Sequence, residues 1–248
     1  AELRDEELPE GIPLDRPIFM HLLGADATGR VKRGSAADAA GWRWEHLAWV
    51  VEADGAEDLY ELCNALWLGT ISMEWIHSGR NVCLRKDGDC DNQDDIALAG
   101  RRKLRPLGLV SILMRLIGSC ACRQFGENFR QIFDPTDYEG EWAVANTGVA
   151  TPGGTQQVQH SVVELLAADP TFGVLQLDAV AAFQNCSRAV FLRRIRRTCP
   201  GIYRWAKTCY GKPSRRYVRM EDGSLRVLLM TTGTTQGDPF GPVNHNFT

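Results

Sequence analysis

Apolar residues recur at three- and four-residue steps through GSAADAAGWRWEHLAWVVEA. Trp44, Leu47, Ala48 and Val51 share one face there, and the period predicts a helix. A second helix is expected over roughly 56–69, where Leu59, Leu62, Cys63, Leu66 and Trp67 line a face that stops at Gly69. NVCLRKDG reads as a short strand running into a turn at Asp87-Gly88, with a polar loop through CDNQDD after it. KLRPLGLVS resumes an extended course, because Pro106 disfavours helix for Arg105. Residues 111–130 form an amphipathic pattern with Ser111 as N-cap.

Gly153-Gly154 breaks the chain ahead of a further helix in TQQVQHSVVELLAAD. VLQL at 174–177 predicts a short apolar strand that gives way to Asp178. Ser187 can cap a helix through FLRRIRR, which Pro200 stops. RRYVRM and LRVLLM flank EDGS and predict a hairpin turning at Asp-Gly. Helices first, then strands mixed with helices, argue for an α+β fold with an antiparallel sheet. Three regions are expected: an acidic arm or linker over 1–30, a region with N-terminal helices over 31–150, and 151–248.

Composition adds limits. The 248 residues, 44% of them hydrophobic, suffice for a substantial core. A net charge of −3 does not announce a polyanion partner, yet arginines concentrate in 101–130 and 188–219. Eight cysteines without a CxxC pair, and five scattered histidines, argue against a zinc site. The cysteines read as reduced core thiols of an intracellular protein. The longest apolar run, LGLVSILMRLIG, is too short for a membrane span and carries Arg115. The chain starts at Ala1 and stops at GPVNHNFT, which reads as a fragment.

Candidate chemistry centres on Asp178. An acid at the end of an apolar strand either caps the turn that follows or presents its oxygens to a cleft, where magnesium favours hard oxygen ligands. The carbonyl of Ala179 could supply a further oxygen. Phe183, after small residues, is either a core aromatic or a ring beside the same cleft. In TTGTTQGDPFGP, Gly237 lets backbone approach a ligand and Gln236 can donate and accept hydrogen bonds. Lys86 and Arg105 are either solvated surface charges or two cations placed at the bases of neighbouring extended segments. Arginine's fork suits phosphate oxygens.

The order LRKDG…KLRPLGLVSILMRLIG, GVLQLDAVAAFQNCSR, TTGTTQGDPFGP resembles the fingers and palm of reverse transcriptases, those of non-LTR retrotransposons above all. GWRWEHL and PGGTQQ…H are similar to segments such elements carry. The resemblance covers roughly 30–248. It implies fingers over 31–150 and a partial palm over 151–248, in a right-hand polymerase. It also implies that Asp178, with Ala179, holds catalytic magnesium, two ions in the complete enzyme. By the same resemblance Phe183 crowds a ribose 2′-hydroxyl and so favours deoxynucleotides. Arg105 and Lys86 would bind the incoming triphosphate, while Gln236 and Gly237 line the pocket. The implied partners are an RNA template, a DNA primer and deoxynucleoside triphosphates, with no membrane. The location would be intracellular, and nuclear for a eukaryotic element.

The family's next motif, an aromatic followed by paired aspartates, does not occur here, since Asp94-Asp95 lies in a polar loop. The isolated chain is therefore expected to be inactive. AVAA between Asp178 and Phe183 is a milder departure, because relatives often carry polar residues there. Arg188, Arg193, Arg194, Arg196 and Arg197 on one helix either form a solvated face or would serve a catalytically dead nucleic-acid-binding relic equally well. An RNA-directed RNA polymerase shares the palm chemistry, but Phe183 argues against it.

Overall fold

A computed structural model describes residues 8–25, 34, 36–85, 104–133, 148–177, 181–220 and 222–248. The first helix, α1 (Arg16–Ala25), falls within the stretch expected to be an arm. Residues 14–25 are no loose arm: Leu14, Phe19, Leu22 and Leu23 are buried in the main core. Residues 12–14, just before α1, are tied down by side chains of one later helix. The Tyr60 hydroxyl donates to the Leu14 carbonyl at 2.9 Å, and the Trp67 indole N–H donates to the Ile12 carbonyl at 2.7 Å. Acidic and proline-rich composition hid an apolar period of only one helix.

α2 (Trp44–Glu52) and α3 (Ala56–Leu68) follow. Helix α2 is shorter than its pattern, because Asp38 folds the preceding residues into a turn, accepting from the backbone N–H groups of Ala40 and Trp42. The other Asp38 oxygen accepts from the Ile112 N–H at 3.0 Å. This pins the turn to the start of α4 (Ile112–Gln124). Ser111 caps α4 as its sequence implies, accepting from Leu113 N–H. A break at Phe125 separates α4 from α5 (Gly126–Phe133).

α6 (Gly154–Ala168) occupies the expected stretch but buries only Gly154 along its length. α7 (Ala182–Asn185) is a single turn, and α8 (Arg188–Thr198) is capped by the Ser187 hydroxyl. α9 (Tyr203–Tyr210) and α10 (Gly241–Asn246) complete the helices among the described residues. Rings from two of these helices and from the ends of two others meet in one cluster. Trp67 of α3 packs with Trp205 of α9, with Phe125 beyond α4, and with Phe240 ahead of α10.

The sheet has the order β2-β1-β3-β4, from β1 (Gly79–Arg85), β2 (Leu104–Val110), β3 (Ser214–Arg219) and β4 (Leu225–Met230). β1–β2 and β3–β4 pair antiparallel, as expected. β1 and β3 pair parallel, so the sheet is mixed rather than antiparallel throughout. The parallel pair joins strands from the two halves of the chain.

VLQL does not form a strand. Residues 172–177 run without regular structure, and Leu175 and Leu177 are each 82% exposed. Strand formation requires a neighbour to satisfy backbone N–H and carbonyl groups, and no described strand lies beside this segment.

Candidate nucleotide site

Three segments distant in sequence converge. The first is the end of β2, the second is α7 with its flanks, and the third is the 232–238 turn. Gly108 N–H of β2 donates to the Gln236 carbonyl at 3.0 Å. Thr234 N–H donates to the Phe183 carbonyl at 2.7 Å, and Gly233 N–H donates to the Cys186 carbonyl at 2.9 Å. The Thr232 hydroxyl adds a bond to the Gln184 carbonyl. Backbone-to-backbone stitching of this kind sets the separation of the segments whatever their side chains do.

Two glycines make the approach close enough. A Cβ on Gly233 would fall 2.3 Å from the Gln184 carbonyl oxygen, and one on Gly237 would fall 2.4 Å from that of Gly108. Both residues have positive φ, 72° and 105°. Phe183 is half-buried, and its ring lies 5.0 Å from the His245 ring of α10. The aromatic is thus braced from behind by a second ring. Gln236 is half-buried and Gly237 exposed.

A charged network that the sequence did not single out underlies the turn. Asp238 is buried, accepts from the Tyr210 hydroxyl, and accepts from Phe240 N–H at 2.9 Å. Arg216 is 2% exposed, donating to the His77 carbonyl at 2.9 Å and to the Thr235 hydroxyl. The available signal was the period of β3, in which Ser214 and Arg216 share the inward face. Burial pushes the Asp238 carboxyl up to about 6, against opposing pulls from Tyr210, Phe240 N–H and Arg216. Burial, helped by Arg216, drives His77 down to about 4.

The arginine cluster of α8 divides. Arg188 is buried, donating from Nε to the Gly233 carbonyl at 2.9 Å and from Nη1 to the Lys212 carbonyl at 3.1 Å. Its guanidinium also lies 5.3 Å above the Tyr210 ring. Arg188 therefore supports the 233 turn and does not belong to a solvent-facing basic surface. Helical geometry explains this: Arg188 shares a face with Phe191, Leu192 and Ile195, all buried. Arg193, Arg194 and Arg197 are exposed, and Arg196 lies 5.8 Å over the Tyr203 ring.

Asp178, Ala179 and Lys86 lie outside the described residues. Arg105 is described in its backbone alone, which pairs with Leu84 across β1–β2. Among the described residues no group of three His, Cys, Asp or Glu side chains is arranged to hold a metal ion. No helix among them is long and apolar enough to cross a membrane. The chain matches no protein-family model, and it matches no curated protein.

Proposed function

We propose that this chain carries the nucleotide pocket of an RNA-directed DNA polymerase of the non-LTR retrotransposon type. The observation that carries the reading is that β2 and the Phe183 segment are each bonded to the 232–238 turn that carries Gln236 and Gly237. These are the stretches that the sequence resemblance assigns to triphosphate binding, sugar selection and the pocket wall. A chance likeness of three separate motifs would give no reason for their backbones to be bonded together.

On this reading Arg105, with Lys86, takes the triphosphate of the incoming deoxynucleotide. Phe183, braced by His245, closes the space a 2′-hydroxyl would need. Gln236 and the side-chain-free Gly237 bound the nucleotide on the template side. Asp178 and the Ala179 carbonyl are hard oxygen donors of the kind magnesium prefers. Magnesium held there would supply the positive charge needed when a primer 3′-hydroxyl displaces pyrophosphate in line. One carboxylate does not hold two ions, and no aromatic-x-Asp-Asp run occurs in 1–248. What this chain is expected to do by itself is bind deoxynucleotide and template, without turnover.

Equilibrium binding of dATP with and without magnesium tests the reading. The wild-type chain should bind about tenfold more tightly with magnesium, an increment of roughly 1.4 kcal/mol. Asp178→Asn should keep the magnesium-free affinity and lose the increment. An equal magnesium effect in both proteins would contradict the role of Asp178.

A further inference from the structure

One cavity among the described residues lies away from the Phe183 segment. It measures about 1320 Å³ and is walled by the 37–41 turn, Trp75 and Ser78, and neighbouring residues of the adjacent strands β1 and β3. Small-molecule clefts commonly measure about 300–1,000 Å³, so this open groove suits a segment of polymer better than a single metabolite.

Its lining mixes two aromatic rings and several aliphatic side chains with two arginines and two aspartates. Trp75 is 43% exposed, and Tyr217, paired with Arg80 across β1–β3, shares the lining. Arg80 and Arg219 bring two guanidinium groups, and Arg80 Nε is sheltered from solvent with no hydrogen-bond partner in the protein. Asn81 adds an amide. The two acids that share the lining keep their charge, but each has oxygens engaged by backbone N–H groups. Asp38 accepts from the N–H groups of Ala40, Trp42 and Ile112, and Asp222 accepts from Ser224 N–H in its own turn.

A second observation extends the platform. The 37–41 turn runs straight into Trp42 and α2, where Trp42, His46 and Trp49 form an aromatic ladder. His46 and Trp49 are stacked at 4.9 Å, Trp42 and His46 meet edge-on at 6.0 Å, and Trp49 is 62% exposed. Arg43 is exposed beside them. Exposed rings interleaved with guanidinium groups match single-stranded nucleic acid, whose bases stack on the rings while phosphates take the cations. A proline-rich peptide would use the rings but would leave the arginines unmatched.

We infer that the cavity between the 37–41 turn and strands β1 and β3 is a binding site for a single-stranded polynucleotide segment, with Trp75 as its stacking platform and Arg80 and Arg219 as phosphate ligands. The site rests on the polynucleotide partner of the polymerase reading but uses none of its catalytic residues.

Fluorescence anisotropy of the full chain with labelled oligo(dT) and oligo(rU) of about fifteen nucleotides tests it. Trp75→Ala should weaken binding by about five- to hundredfold, and Trp75→Phe should restore most of it. Arg219→Ala, at an exposed position, should lower the slope of log affinity against log salt by about one. Equal losses with both oligomers would mean that the site takes either sugar, and a loss with one alone would name its strand. Wild-type affinity in both Trp75→Ala and Arg219→Ala, with loss in Arg193→Ala/Arg197→Ala, overturns the site and leaves the α8 surface as the contact. A proline-rich peptide that binds when neither oligomer does also overturns it. Intact magnesium-dependent dATP binding in a chain that ignores both oligomers would sink this inference alone.

Discussion

Arg216→Met should destabilise the protein by about 3 kcal/mol, because two hydrogen bonds from a buried charged donor are lost while the apolar stem is kept. The carbonyl of His77 and the hydroxyl of Thr235 lose their partner, and Asp238 loses a cation that acts on it. The loss should depend on pH. In the wild type, the Asp238 carboxyl is raised from 3.8 to about 6. Its contribution to stability is therefore complete below about pH 3.8 and is lost as pH rises through 6. Removing Arg216 raises that carboxyl further, so the variant should lose more at pH 8 than at pH 5. His77 works in the opposite sense, since its value is lowered from 6.5 to about 4 and its contribution is lost as pH falls through that range. Urea unfolding at the two pH values checks the difference. An equal loss at both would show that Arg216 does not act on the Asp238 charge.

Gly237→Ala should be of similar size, for a separate reason. The added Cβ would sit 2.4 Å from the Gly108 carbonyl oxygen, at a backbone φ of 105° that side chains rarely adopt. Backbone strain and overpacking together should cost about 3 kcal/mol, which for a chain of this size lowers the melting temperature by roughly 10 °C. The substitution pushes β2 away from the 232–238 turn, so nucleotide binding should fall even below the new melting temperature. A variant that melts early yet binds dATP normally would separate the stitching from the pocket.

Local rules made much of the fold legible. α3 ends at Gly69, Ser111 and Ser187 cap their helices, and the Asp-Gly hairpin forms where its alternation predicts. Each of these depends on residues within a turn or two of one another. What escaped depends on partners far along the chain. VLQL has a strand's apolarity but no described neighbour to pair with. Leu14 and Phe19 are buried because α3 and α4 come back to cover them, which no period within 1–30 reveals. The parallel joining of β1 to β3 spans more than a hundred residues and left no local mark.

The candidate site shows the same division. Phe183, Gln236 and Gly237 were picked out by motif, and the structure puts their segments side by side. Arg188 was grouped with its neighbours by charge, although helical spacing already put it on the face of Phe191 and Ile195. The Tyr210–Asp238 and Arg216–Thr235 bonds needed the fold, because no spacing in sequence joins β3, α9 and the turn. The aromatic ladder of α2 leaves no mark in the helical period, and it is seen only in the ring contacts and in the exposure of Trp49.

The most direct test of the central claim is the ratio of dATP to ATP affinity in magnesium, for the wild type and for Phe183→Ala. The pocket described above predicts a clear preference for dATP in the wild type and nearly equal binding of the two sugars once the ring is removed. A preference that survives Phe183→Ala, or a wild type that binds both nucleotides alike, would contradict it.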